Sequence, residues 1–327
     1  MATADQVKAL VRSHADGDDG HFYAVAMQVA ARAARAGQSR FAQELRELVD
    51  AAKANSHQAG RQLKPVPVTK PRGDLAGLLA ASYPDQRLGD LVVEEKVRLS
   101  LERVLTEQRQ QDRLREYGLE PVHSLLLIGP PGTGKTLSAS VLAGELHLPL
   151  FLIRLESLIT KFMGETSAKL RLIFDAADDI RGIYFFDEVD ALAGDRSSSN
   201  DVGEIRRVLN SFLQFLEQHH SPSILIAATN HPQLLDRAIF RRFGAVVEYV
   251  LPTPEMARLV IRNRLAIVNT RGIAWEKVDE AADGLSHSEL TIACEQAAKQ
   301  AILSKATRVT TELLVSCLRE RYRPSIA

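Results

Sequence analysis

The sequence predicts an α/β fold: a parallel five-stranded sheet within residues 85–252, a helical segment over 253–327, and a small helical domain over 1–55, joined to the sheet by a linker at 56–84. Three observations carry this expectation. Short continuous apolar runs alternate with helical stretches as far as residue 250 or so, the pattern of parallel strands buried on both faces. From Glu255 onward every periodic stretch is helical. Between Ser56 and Gly73 periodicity stops, and Gly60, Pro65, Pro67, Pro71 and Gly73 punctuate a basic polar stretch.

The N-terminal unit shows three stripes at helical spacing. They are Val7, Leu10 and Val11; Phe22, Val25, Ala26, Val29 and Ala30; and Phe41, Leu45 and Leu48. Asp5 and Ser39 suit N-caps, and Gly37 suits a helix stop. Lys64, Lys70 and Arg72 in the linker read either as solvated charges or as a nucleic-acid contact. Glu94 to Tyr117 form a long charged helical stretch. Strands are expected near Leu125–Ile128, Leu150–Arg154, Ile183–Phe186, Ile224–Ala228 and Val246–Val250. The later helices are expected at Glu255–Ala266, near Trp275–Ala282, at Ser286–Ser304 and at Thr311–Tyr322.

The first strand runs into Gly129-Pro130-Pro131-Gly132-Thr133-Gly134-Lys135-Thr136, which fills every fixed position of G-x-x-x-x-G-K-[ST]. A helix from Leu137 follows, so the motif has the strand–loop–helix setting that gives it physical meaning. Glycines let successive N–H groups turn inward around phosphates, and the helix N-terminus adds its positive dipole end. Pro130 to Leu137 would cradle a nucleoside triphosphate, Lys135 reaching its β- and γ-phosphates and the Thr136 hydroxyl ligating Mg²⁺. The strand Ile183–Phe186 ends in Asp187 and Glu188. Asp187 would hold Mg²⁺ and Glu188 would polarise the attacking water, although acidic residues after a strand also serve as helix caps. The strand Ile224–Ala228 ends in Thr229-Asn230, which places Asn230 at the same sheet edge, near the γ-phosphate or the lytic water; an ordinary turn asparagine is the alternative.

The order G-P-P-G-T-G-K-T, F-F-D-E-V-D, A-A-T-N and L-D-x-A-x-x-R-R-F resembles the ATPase module of the AAA family, within the AAA+ superfamily of P-loop NTPases. The resemblance runs from about Asp90 to the C-terminal region. It implies that ATP and Mg²⁺ are bound, that Asn230 is the sensor residue, and that Arg241 and Arg242 are arginine fingers acting on ATP held by a neighbouring subunit. An active homo-oligomer follows, usually a hexamer in this family and ATP-dependent. The C-terminal helices then form a lid over the nucleotide. By the same resemblance Asp90, Leu91 and Val92 lie against the adenine, where the family's D-I-x-G reads Asp90-Leu91-Val92-Val93 here. In the lid, G-x-S-G-x-D/E reads Gly284-Leu285-Ser286-His287-Ser288-Glu289. His287 stands near the base or ribose, or is an ordinary residue of the helix N-cap turn. Trp275 reads as lid core.

Lys161-Phe162-Met163-Gly164-Glu165 is similar to the K-W-M-G-E pore loop of severing and disassembling AAA proteins. In a hexamer, Lys161, Phe162, Met163 and Gly164 would line the pore and grip an extended polypeptide, while the N-terminal helical domain chooses the client. A second loop, Gly194 to Gly203, is polar, and Glu204, Arg206, Arg207 and Asn210 open the next helix, where the family often couples subunits. The expected function is an ATP-driven protein-remodelling motor. A regulatory ATPase controlling a partner such as a protease is the alternative, because the layout resembles bacterial AAA proteins encoded beside subtilisin-like proteases in plasmid-maintenance and phage-defence modules. A DNA-directed loader or initiator is the third class. Against nucleic acid stand 41 basic residues balanced by 41 acidic ones, which leave no global field. No apolar run is long enough to span a bilayer and no signal-peptide pattern opens the chain, so the cytoplasm is expected. Cys294 and Cys317 read as small buried hydrophobes.

Overall fold

The computed structural model describes residues 75–158, 163–192, 202–219, 221–304 and 308–321, together with Ala26, Val29 and Gln43. The chain divides into two compact units, Met1–Pro67 and Val68–Ala327. In the first, Ala26 and Val29 are helical and buried and Gln43 is helical and exposed, as one apolar face three residues apart requires. The other helical stripes, caps and linker charges expected of this segment lie outside the described residues.

The second unit is built on a six-stranded sheet. Its strands are β1 (Leu79–Ser82), β2 (Ser124–Ile128), β3 (Leu150–Ile153), β4 (Ile183–Phe186), β5 (Ile224–Thr229) and β6 (Ala245–Glu248), in the order β1-β3-β4-β5-β2-β6. The five expected strands are present and mutually parallel. The sixth, β1, was not expected. It pairs antiparallel with β3, Leu79 opposite Ile153 and Ser82 opposite Leu150. Leu79-Ala80-Ala81-Ser82 has neither alternation nor β-branched residues, so only its docking on β3 makes it a strand. With the helical turn Leu75–Leu78 before it, this strand occupies part of the stretch read as linker.

The strands divide their side chains between two cores with the period of two that a pleated strand imposes. Leu126, Tyr184, Phe186, Leu225 and Ala227 face one layer, formed by α4 (Met163–Asp179) and α5 (Val202–Gln218). Phe212 of α5 meets both Phe186 and Phe174 of α4 there in edge-on contacts. Leu125, Leu127, Ile183, Phe185, Ile224 and Ile226 face the other layer, formed by α1 (Glu95–Arg109) and α3 (Lys135–Leu146). Between these last two helices runs α2 (Gln111–Glu116), which with α1 fills the charged helical stretch. Burial on both faces explains why β2, β4 and β5 read as unbroken apolar runs.

Four helices make a separate core: α6 (Pro254–Arg264), α7 (Trp275–Ala282), α8 (His287–Leu303) and α9 (Thr311–Arg319). Each begins within two residues of its expected start. Thr253, Ser286 and Thr310 cap three of them by accepting from the N–H of Met256, Glu289 and Leu313. Cys294 and Cys317 are fully buried in this core, and burial pushes the Cys294 thiol up to about 12, which makes it inert. Trp275 packs against the same core and carries the Arg262 guanidinium 4.8 Å above its ring. Among the described residues no helix is long and apolar enough to cross a membrane.

One close approach fixes the segment that precedes α1. A Cβ on Gly144 of α3 would lie 2.2 Å from the Gln86 carbonyl oxygen, so glycine lets the chain pass directly over the helix. Arg87 Nη1 donates to Gly144 O at 2.6 Å, and Leu88 N–H donates to Glu145 Oε1 at 3.1 Å. Gly→Ala inside a helix ordinarily stabilises by about 1 kcal/mol. Here the sign should reverse, because the obstructing atom is backbone. Gly144→Ala is expected to lower the midpoint of thermal unfolding, and an unchanged or raised midpoint would contradict this contact.

Candidate functional site

The loop Gly129–Gly134 leaves the carboxyl end of β2 and enters α3, with positive φ at Gly129, Gly132 and Gly134. Gly134 is the left-handed N-cap of α3, which a side chain would strain. Thr133 is buried and its hydroxyl donates to Pro130 O at 2.8 Å, closing the loop on itself. Lys135 is buried as well. Its ammonium donates to Gly129 O and Pro130 O at 2.8 Å each and to Asn230 Oδ1 at 2.7 Å. Burial lowers its pKa below the usual lysine value, opposed by the carboxylates of Asp187 and Asp190.

The three strand ends converge as expected. Thr136 Oγ1 donates to Asp187 Oδ2 at 3.2 Å, which brings the two expected metal ligands together. Asp187 Oδ1 accepts from the N–H of Glu188 at 3.1 Å. Glu188 is exposed and sits at φ 53°, a left-handed conformation rare for a residue with a side chain. Asp190 also belongs here. Its Oδ1 accepts from Thr229 Oγ1 at 2.6 Å, and Thr229 Oγ1 accepts from the N–H of His231 at 2.9 Å, so the bend carrying Asn230 is held from both sides. The last carboxylate of F-F-D-E-V-D was the sequence signal for this support.

Among the described residues no three His, Cys, Asp or Glu side chains converge into a metal cage. Mg²⁺ seldom needs one, since it keeps waters and takes one or two protein oxygens beside phosphate oxygens. The Thr136 and Asp187 oxygens fit that mode.

Beside the loop opens a cavity of 710 Å³ that Asp90, Leu91, Val92, Thr133, Gly134, Leu137 and His287 line together. All were sequence candidates. Val260, Asn263 and Arg264 of α6 and Thr291 of α8 also line it and were missed, because no local pattern marks a residue that meets the loop only through the tertiary fold. The C-terminal helical core rests directly on the loop. Ser288 N–H donates to Gly132 O at 3.0 Å, and a Cβ on Gly132 would come within 2.6 Å of Ser286 Oγ.

Arg241 and Arg242 stand apart from this constellation. They precede β6, and Gly244 N–H donates to Ser124 Oγ at the amino end of β2, whereas the loop leaves the carboxyl end of that strand. Arg242 Nε is 3.0 Å from Glu217 Oε1, and Arg241 is exposed. Lys161 and Phe162 lie outside the described residues, as do residues 194–201 of the second polar loop, whose last two residues, Val202 and Gly203, instead open α5. Met163 and Gly164 open α4.

Residues 125–251 match the family described as "ATPase family associated with various cellular activities (AAA)". The chain is 33% identical over 312 residues to an uncharacterized AAA family ATPase, y4kL, of Sinorhizobium fredii, covering 94% of this chain and 92% of that one. The chain belongs to the AAA family of ATPases. This AAA ATPase is also 32% identical over 252 residues to the proteasome-activating nucleotidase of Methanothermobacter thermautotrophicus, which takes in 72% of the chain and 60% of that protein. The crystal structure of the FIGL-1 AAA domain superposes with a TM-score of 0.61 at 25% identity, covering 76% of this chain and 87% of that one.

Proposed function

We propose that this ATPase is a protein-remodelling motor, active in the cytoplasm as a homo-oligomeric ring, usually a hexamer in this family, that forms with ATP and moves a protein client through its pore. The observation that carries the ring is the placement of Arg241 and Arg242 at the end of the sheet opposite the P-loop. A parallel strand of four or five residues separates the two ends by roughly 15 Å, which supports the reading that these cations serve a neighbouring subunit's phosphates rather than those of their own P-loop. The likeness to a proteasome-activating nucleotidase supports a protein target, and it equally favours the variant in which the target is a partner protease under regulation.

In this reading the loop from Pro130 to Leu137 holds the phosphates through the N–H groups of residues 132–137, and Lys135 exchanges Gly129 O, Pro130 O and Asn230 Oδ1 for phosphate oxygens. Release from Lys135 leaves the Asn230 amide able to turn toward the γ-phosphate or the attacking water. Thr136 and Asp187 would hold Mg²⁺, which neutralises phosphate charge when bound. Glu188 orients the water and draws off its proton, and a neighbouring subunit's Arg241 and Arg242 neutralise the charge that develops. The lid contact Ser288 to Gly132 gives the loop a path to move the helical core. Lys161, Phe162, Met163 and Gly164 grip the client. The helical unit at 1–55 selects it, joined by the 56–84 segment to the ATPase core at 85–252 and the lid at 253–327.

Phe162→Ala separates threading from hydrolysis. Basal ATP turnover should persist within about two-fold, while client unfolding or disassembly is lost, because binding loops contribute grip rather than chemistry. Full client processing by that variant would remove the threading mechanism and leave the regulatory one.

A further inference from the structure

Glu188 and Asn230 stand on different strand ends, and a side-chain hydrogen bond ties those ends together. β4 and β5 are neighbours whose ladder closes with Phe186 opposite Ala227. Beyond it, the first chain turns at Glu188, whose carbonyl accepts from the N–H of Ala191 at 2.8 Å, and enters a short 3-10 helix, Val189–Leu192. The second ends at Thr229 and bends at Asn230. Asp190, inside that 3-10 helix, accepts from Thr229 Oγ1 across the gap at 2.6 Å.

Thr229 is fully engaged. Its hydroxyl proton goes to Asp190, its Oγ1 accepts from the N–H of His231, and its main-chain oxygen accepts from the N–H of Gly129 at 3.3 Å. The residue is buried, and its β-branched side chain has few rotamers. A short bond from a hydroxyl to a carboxylate is charge-assisted, and a buried hydroxyl that lost it would have to turn or stay unpaired. Either outcome disturbs the bend at Asn230. Three segments therefore meet at this bond: the turn that carries Glu188, the bend that carries Asn230 and the start of the P-loop.

We propose that Asp190 is a positioning residue for ATP hydrolysis: through Thr229 it fixes Asn230 relative to Glu188, so that both meet the same water. The inference rests on the reading that these two groups act on the attacking water. Its contribution is geometric, since a small misplacement of reacting groups is enough to slow the chemical step.

The test measures kcat for phosphate release and the ATP dissociation constant of the full chain. Asp190→Ala should lower kcat about 10–100-fold while ATP affinity stays within about two-fold. Asp190→Asn keeps an acceptor oxygen for Thr229 and should restore most of the loss. Thr229→Ser keeps the hydroxyl and should retain turnover, whereas Thr229→Val keeps the shape without the hydroxyl and should match Asp190→Ala. A role in packing alone would add its cost in any background, so the deciding readout is the cycle with Asn230→Ala. In that background Asp190→Ala should change kcat by less than about two-fold. An undiminished effect there would overturn the proposal, and so would near-wild-type turnover in both Asp190→Ala and Thr229→Val. Equal losses in Asp190→Asn and Asp190→Ala would overturn it too, by assigning the effect to the charge that Lys135 feels. Should Asp190→Ala lose its thermal unfolding transition, Thr229→Val carries the same cycle. Wild-type turnover by both Glu188→Gln and Asn230→Ala would instead overturn the site reading, and this proposal with it.

Discussion

Glu188→Gln is expected to lower kcat by about 10²–10⁴, the range for losing a group that takes a proton in the transition state, while ATP still binds. The side chain is exposed at the end of β4, and its backbone is held left-handed at φ 53° beside Asp187. A strained residue at a strand end persists only where the surroundings fix it, and Glu188 follows β4 at the sheet edge where the P-loop lies. Glutamine keeps the size and removes the basicity. Steady-state phosphate release beside equilibrium ATP binding checks the split. Unchanged turnover would pass the role to another group, with Asp190 next in line, although that carboxylate is engaged by Thr229.

The double change of Arg241 and Arg242 to alanine should cost more, about 10³–10⁵ in kcat, with ATP affinity and folding nearly unchanged. Folding should survive because the Arg242–Glu217 pair is partly exposed on both sides, and such pairs contribute at most about 1 kcal/mol. Single substitutions distinguish the two residues. Arg242 must leave Glu217 to reach a neighbour, whereas Arg241 already faces solvent, so Arg241→Ala should have the larger effect. Phosphate release at saturating ATP reads both. Near-wild-type turnover by the double variant would mean that each subunit completes its own site.

What could be read from the residues depended on how locally each feature is determined. Ile183–Phe186 and Ile224–Ala228 were legible because strands covered on both faces need apolar residues at every position. Leu79–Ser82 was not, since its strand character comes from β3 and lies outside its own composition. The ends of β6 shifted for a related reason. Only Val247 of its four residues is buried, so the apolar run through Val250 overstated where pairing stops.

The loop end of the candidate site was legible almost residue by residue. Phosphate binding needs a fixed run of N–H groups, one lysine and one hydroxyl, and chemistry at that spacing leaves a contiguous motif. The cavity beside the loop was only half legible. Asp90 to Val92 and His287 were found through the resemblance, but Val260, Asn263 and Arg264 reach the cavity from a helix whose sequence reads as ordinary amphipathic surface. Asp190 was in view and unassigned. Its role is to hold Thr229, a second-layer contact that spacing alone does not reveal.

The most direct test of the ring account mixes two inactive variants. Glu188→Gln keeps its arginines and cannot turn over ATP; the Arg241→Ala, Arg242→Ala double variant keeps an intact hydrolytic site and supplies no cation to its neighbour. Phosphate release is measured for each alone and for an equal mixture, with ATP present and mass followed by light scattering. The account predicts that the mixture forms oligomers and recovers turnover that neither variant has alone. A mixture as inactive as its parts, with ATP bound and the mass that of a monomer, would contradict it.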